Sequence, residues 1–172
     1  MKEKKKILFL CTGNSCRSQM AEAWTRHLRN DEYEAYSAGT APRGIDHMAI
    51  HVMSEAGIDI SSQRSKGIDS LGMIEFDYVI TLCDNARESC PYYPAKTKLI
   101  HKGFDDPAKL AEGSKGDKDA IKIYRKVRDE IKDYVMNLPL TKTQLNRSTD
   151  MPMNNILSCL FSNDKLCPLI GG

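Results

Sequence analysis

The chain has 172 residues, 25 basic against 23 acidic side chains and a mean hydropathy of −0.47. That length suits one domain with its own apolar core and room for an appendage. A net charge of +2 gives no general electrostatic case for nucleic acid or an anionic surface, and no apolar run approaches the ~18 residues of a membrane-spanning helix.

The start, Met1 to Lys6, is basic, but the apolar stretch Ile7–Leu10 is too short for a signal-peptide core and no small-residue cleavage site follows. The chain is therefore expected to be cytoplasmic. Lys6–Leu10 (KILFL) reads as a short buried strand, and Thr12, Gly13, Asn14 and Ser15 after it are turn formers. Ser18–Arg29 carries Met20, Trp24 and Leu28 at helical spacing, which puts Met20 and Trp24 in the core. Glu32–Ala38 reads as a second strand, Asp46–Ala56 as a helix stopped by Gly57, Tyr78–Leu82 as a third strand and Lys98–His101 as a short fourth. Tyr124, Val127, Ile131, Val135 and Leu138 then recur at helical spacing until Pro139.

Strands alternating with helices predict an α/β fold: a parallel sheet of about four strands with helices on both faces. Such sheets bind ligands beyond the carboxyl ends of their strands, and Cys11 and Cys83 both stand just past predicted strand ends. After Pro139 the sequence turns polar and irregular. Residues 1–138 are therefore read as the folded domain, and 139–172 as an appendage that is irregular or partly disordered.

Six cysteines need a reason in a compartment that keeps thiols reduced: Cys11, Cys16, Cys83, Cys90, Cys159 and Cys167. Burial, redox chemistry and metal binding are the choices, although the Cys11/Cys16 and Cys83/Cys90 spacings are too wide for the usual zinc patterns. Cys11-Thr12-Gly13-Asn14-Ser15-Cys16-Arg17-Ser18 lies between a predicted strand and a predicted helix. Backbone amides from Thr12 through Arg17 can form an anion cradle there, with the helix N-terminus behind it. Gly13 and Asn14 can supply positive φ angles, and the Arg17 fork matches two oxygens of a tetrahedral oxyanion. The same field favours a thiolate at Cys11, moving its pKa from about 8.5 toward roughly 3.5–7.5, with Ser18 as hydrogen-bond donor. Cys16 is read as structural.

The Cys-x5-Arg-Ser pattern resembles the low-molecular-weight tyrosine phosphatase superfamily, and more closely its thioredoxin-coupled arsenate reductases. The resemblance spans about residues 5–138, through ILFLCTGNSCRSQMAEAW, YSAGT, VITLCDNARESCP, HKGFDDPA and RKVRDEIKDYV. It implies a flavodoxin-like sheet with the low-molecular-weight phosphatase topology, and a general acid at the aspartate before proline, Asp106, rather than at Asp105. It also implies a use for Cys83 and Cys90, which a phosphatase does not need. Cys11 attacks arsenate, Cys83 releases arsenite by forming Cys11–Cys83, Cys90 takes over to leave Cys83–Cys90, and thioredoxin reduces that pair.

Were 84–90 helical, the Cα atoms of Cys83 and Cys90 would lie about 10 Å apart, beyond the roughly 7 Å a disulfide tolerates. Asp84, Asn85, Ser89 and Pro91 make this segment a poor helix, as a switch requires. Some relatives hold potassium through asparagine, glutamate, serine and aspartate. Asn14, Glu22 and Ser37 match, but Lys66 replaces the aspartate, so an ammonium is expected in the cation's place and no specific potassium site. Lys102 stands where tryptophan is common, which is expected to loosen packing beside the acid loop. Cys159 and Cys167 have no counterpart, and His101 is read as a surface or packing residue.

The expectation is an arsenate reductase acting as a monomer, without bound metal or cofactor, whose partners are arsenate and thioredoxin, and neither nucleic acid nor membrane. A phosphotyrosine phosphatase, with weak aryl phosphatase activity as a side reaction of the reductase, and a non-enzymatic thiol sensor of oxyanions or metals are the rivals. Ala108 after Asp106-Pro107, where such phosphatases carry aromatics, counts against the first.

Overall fold

The computed structural model describes residues 3–91 and 93–138. The appendage from 139, with Cys159 and Cys167, lies outside the described residues. Four parallel strands, β1 (Lys5–Cys11), β2 (Tyr33–Gly39), β3 (Tyr78–Thr81) and β4 (Lys98–His101), form one sheet in the order β2-β1-β3-β4. Around it lie α1 (Arg17–Leu28), α2 (His47–Glu55), α3 (Asp84–Glu88), α4 (Pro107–Ala111) and α5 (Asp117–Met136), with a 3-10 turn at Ile68–Leu71.

β1 is central, and its pleat divides the core. Ile7, Phe9 and Cys11 face a cluster built with Met20 and Trp24 of α1, Val52 and Met53 of α2, and Tyr124, Val127, Ile131 and Val135 of α5. Leu8 and Leu10 face a second, smaller cluster with Ala38, Phe76, Val79 and Ala86. A strand buried on both faces reads as a continuous apolar run, which is what KILFL is.

The strand readings hold to within a residue. α5 begins seven residues before Tyr124, because its first turns carry Asp117 and Asp119, which suit a helix N-terminus but bury little. α4 has no counterpart among the predicted elements; Pro107 at its first position and the Asp106 side chain start it. The segment read as a poor helix does form α3, but over only five residues. It ends before Cys90, and the Cys83 side chain makes no capping hydrogen bond.

Candidate active site

Cys11 ends β1 and the loop 12–16 joins it to α1. The chain leaving β2 runs alongside this loop and takes its carbonyls. N–H groups of Thr40, Ala41, Arg43 and Asp46 donate to the carbonyls of Cys11, Thr12, Gly13 and Ser15 at 3.1, 2.8, 3.0 and 3.0 Å. Gln19 Nε2 donates to the Asn14 carbonyl at 2.9 Å. With these oxygens committed outward, loop amides are left for the sulfur side, where Asn14 N–H reaches Cys11 Sγ at 3.1 Å.

Two positions make the turn possible. Asn14 takes φ +44°, as the sequence suggested, whereas Gly13 is not among the positive-φ residues. Gly13 sits close to its neighbours instead: an added Cβ would lie 3.2 Å from Ser15 Oγ. Gly39, the last residue of β2, is more demanding. A Cβ there would stand 2.6 Å from the Thr12 carbonyl oxygen and 2.9 Å from Asn14 Cβ.

Cys11 is buried and Ser18 Oγ lies 2.9 Å from its sulfur. The expected depression of its pKa is not what this geometry favours. Burial pushes the thiol up, and the hydrogen bonds from Ser18 and Asn14 together with the Arg17 charge pull it only part of the way back. Cys16, buried at the start of α1, is pushed up well above the ordinary range by burial first and then by Asp46, as suits a structural residue.

Arg17 opens α1 and turns its fork to the loop after β4: Nη1 donates to the Phe104 carbonyl at 3.1 Å and Nη2 to Asp106 Oδ2 at 2.8 Å. The other oxygen of Asp106 accepts from Ala108 and Lys109 N–H at the start of α4. Asp105 lies instead 3.4 Å from Lys126 on α5. Lys102 lies beside the acid loop. Its ammonium stands 5.2 Å from the Phe104 ring centre and 6.0 Å from that of Tyr134, two rings already packed edge to face.

Beneath the loop, Glu22 is buried with 3% of its side chain exposed, against Arg26 at 2.5 Å and the Lys66 ammonium at 3.5 Å. Ser37 donates to Glu22, and Asn14 Nδ2 donates to Ser37 at 2.9 Å. The lysine therefore stands against the carboxylate that the resemblance made a potassium ligand. Among the described residues no group of three or more His, Cys, Asp or Glu side chains could hold a metal ion, and no helix is long and apolar enough to cross a membrane.

Cys83, just past β3, reaches the loop: its Sγ lies 3.3 Å from Thr12 Oγ1. It packs against both core clusters, whereas Cys90 packs against the second. Burial pushes the Cys90 thiol up to about 11. All four described cysteines are free.

A strand, a loop opening on a cysteine, a helix started by arginine and an aspartate held by that arginine meet at the carboxyl end of the sheet. The chain belongs to the low molecular weight phosphotyrosine protein phosphatase family, whose model matches residues 6–150. Within that family its similarity runs to arsenate reductases. It is 51% identical to the arsenate reductase of Halalkalibacterium halodurans over 128 residues, covering 74% of this chain and 90% of that protein. A solved arsenate reductase in the phosphate-binding state superposes with a TM-score of 0.61 at 32% identity, over 78% of this chain and 95% of that one. A thioredoxin-dependent arsenate reductase of Corynebacterium glutamicum superposes at 0.54 with 26% identity, over 77% of this chain and 61% of that one.

Proposed function

We propose that this chain reduces arsenate to arsenite by a relay of Cys11, Cys83 and Cys90, regenerated by thioredoxin. The observation that carries the reading is the Cys83 sulfur 3.3 Å from the hydroxyl of Thr12, a residue of the Cys11 loop. A phosphatase gives that second thiol nothing to do, because phosphate is not reduced by thiols.

The Cys11 thiolate attacks arsenic, and Asp106 gives a proton to the oxygen that leaves as water. Loop amides from Thr12 to Cys16 and the Arg17 guanidinium carry the oxyanion charge. The Cys83 thiolate then attacks Cys11 Sγ. The sulfur–arsenic bond breaks with its electron pair on arsenic, releasing arsenite and leaving Cys11–Cys83. Attack of the Cys90 thiolate on Cys83 Sγ frees the Cys11 thiolate, and the dithiol of thioredoxin supplies two electrons to Cys83–Cys90. Similarity to the thioredoxin-dependent enzyme of Corynebacterium glutamicum supports that choice of reductant.

The test holds arsenate constant and varies only reductant and thiols. Repeated turnover with thioredoxin is expected for the native chain, and one equivalent of arsenite with trapped Cys11–Cys83 for Cys90→Ser. Undiminished repeated turnover in Cys90→Ser, or none in the native chain, overturns the reading.

A further inference from the structure

We infer that His101 is a positioning residue of the thiol relay: through Asp84 it holds the first residue of α3 against the end of β4, keeping Cys83 at the edge of the Cys11 loop and resisting the unwinding that Cys83–Cys90 pairing requires. The inference rests on the relay proposed above and assigns it a restraint.

His101 ends β4, and its ring is mostly enclosed, with 19% of the side chain exposed. Nδ1 lies 2.9 Å from Thr81 Oγ1, and Nε2 lies 3.3 Å from Asp84 Oδ1. A carboxylate only accepts, which assigns the proton to Nε2 in the neutral ring and leaves Nδ1 to accept from the Thr81 hydroxyl. The other acceptor for that hydroxyl, the Ile100 carbonyl, is 3.5 Å away. Burial first, and then Arg87, lower the pKa of His101, so a neutral ring with this single tautomer suits both partners.

The tether falls where the chain is about to become free. Leu82 N–H donates to the Leu10 carbonyl, Lys102 N–H to that of Thr81 and Phe104 N–H to that of Leu82, so residues 81 and 82 are held from both sides. Cys83 follows in extended conformation, and α3 begins at Asp84 without a side-chain cap. A five-residue helix of this kind has little stability of its own. Among the described residues, Asp84 to His101 is the one ionic or hydrogen-bonding contact made by an α3 side chain. Asp84 is itself 85% exposed and comes to a ring fixed from beneath.

Such a restraint acts oppositely on the two transfers. It presents Cys83 to Cys11 in the first and opposes the opening of α3 in the second. His101→Ala and Asp84→Ala are compared with the native chain by acid quench after one arsenate turnover, followed by mass spectrometry of the two disulfides. Cys11–Cys83 is expected to form roughly two- to fivefold more slowly and to pass to Cys83–Cys90 roughly two- to fivefold faster, the scale of an exposed charged contact. Amides of 85–90 in the reduced protein should exchange faster by a similar factor. The exposed position of Asp84 keeps that variant folded if His101→Ala is not. Both transfers moving in the same direction, or neither moving, overturns the inference. If the native chain forms no Cys11–Cys83 at all, the relay itself fails, and unchanged exchange in the variants then also removes the tether.

Discussion

Asn14 does more for this site than turn a corner. Its Oδ1 accepts from the Lys66 N–H at 2.8 Å and from Gln19 Nε2 at 3.0 Å, which leaves its amide nitrogen to donate to Ser18 at 2.8 Å and to Ser37. Ser37 spends its own proton on Glu22. Ser18, already accepting from Asn14, has one proton and an acceptor in the Cys11 sulfur. The network thus points the Ser18 hydroxyl at Cys11, where it stabilises the thiolate form. Removing it favours the thiol, so Ser18→Ala should move the pH midpoint of Cys11 alkylation by iodoacetamide upward by about one unit, near 1.4 kcal/mol. Alkylation is consequently slower at neutral pH and recovers as pH rises. An unchanged or lowered midpoint contradicts the direction assigned to this bond.

Among the elements, α3 carries the heaviest functional demand on the fewest residues. Its five helical residues stand between Cys83 and Cys90, and the enclosure of Cys90 pushes that thiol up to about 11, so that it stays protonated at neutral pH. Unwinding answers both obstacles, since it closes the gap and exposes the thiol to water. Ala86, fully buried, is the residue by which α3 grips the second cluster. Ala86→Gly lowers helix propensity by about 1 kcal/mol, which is expected to raise the rate of Cys90 alkylation in the reduced protein by about fivefold. Cys90 modification followed by peptide mass spectrometry checks this. A rate equal to the native one means that α3 does not limit access to Cys90.

For the molecule as a whole, the sheet keeps the ends of the proposed relay on different faces. Cys11 belongs to the cluster under α1, α2 and α5, Cys90 packs on the opposite cluster, and Cys83 at the strand ends touches both. Oxidation would therefore be carried around the carboxyl edge of the sheet. The two clusters draw on residues from Ile7 to Leu138, so we propose that the domain ends there. A chain cut after Leu140 should melt within roughly 3–4 °C of the full one, corresponding to a change of about 1 kcal/mol, as circular dichroism can show. A much larger drop gives the appendage a structural part.

β1, the loop and α1 were legible in the linear chain because an apolar run, a set of turn formers and a helical repeat follow one another without overlap. α5 was legible because its apolar period is long. α4 and the extent of α3 were not, because five residues are too few for a period to emerge and their caps depend on neighbours. Local sequence also carries the chemistry proposed for Cys11, Arg17, Asp106 and the two later thiols, since a residue type brings its charge and nucleophilicity with it. The three-dimensional packing alone decided that Gly39 must lie against the Thr12 carbonyl and that enclosure outweighs the loop's field at Cys11, and it supplied the contacts of Asp106 with Arg17 and of the Lys66 ammonium with Glu22 that the resemblance could only suggest. Each of these depends on distances between residues far apart in the chain, and on the water that their approach expels.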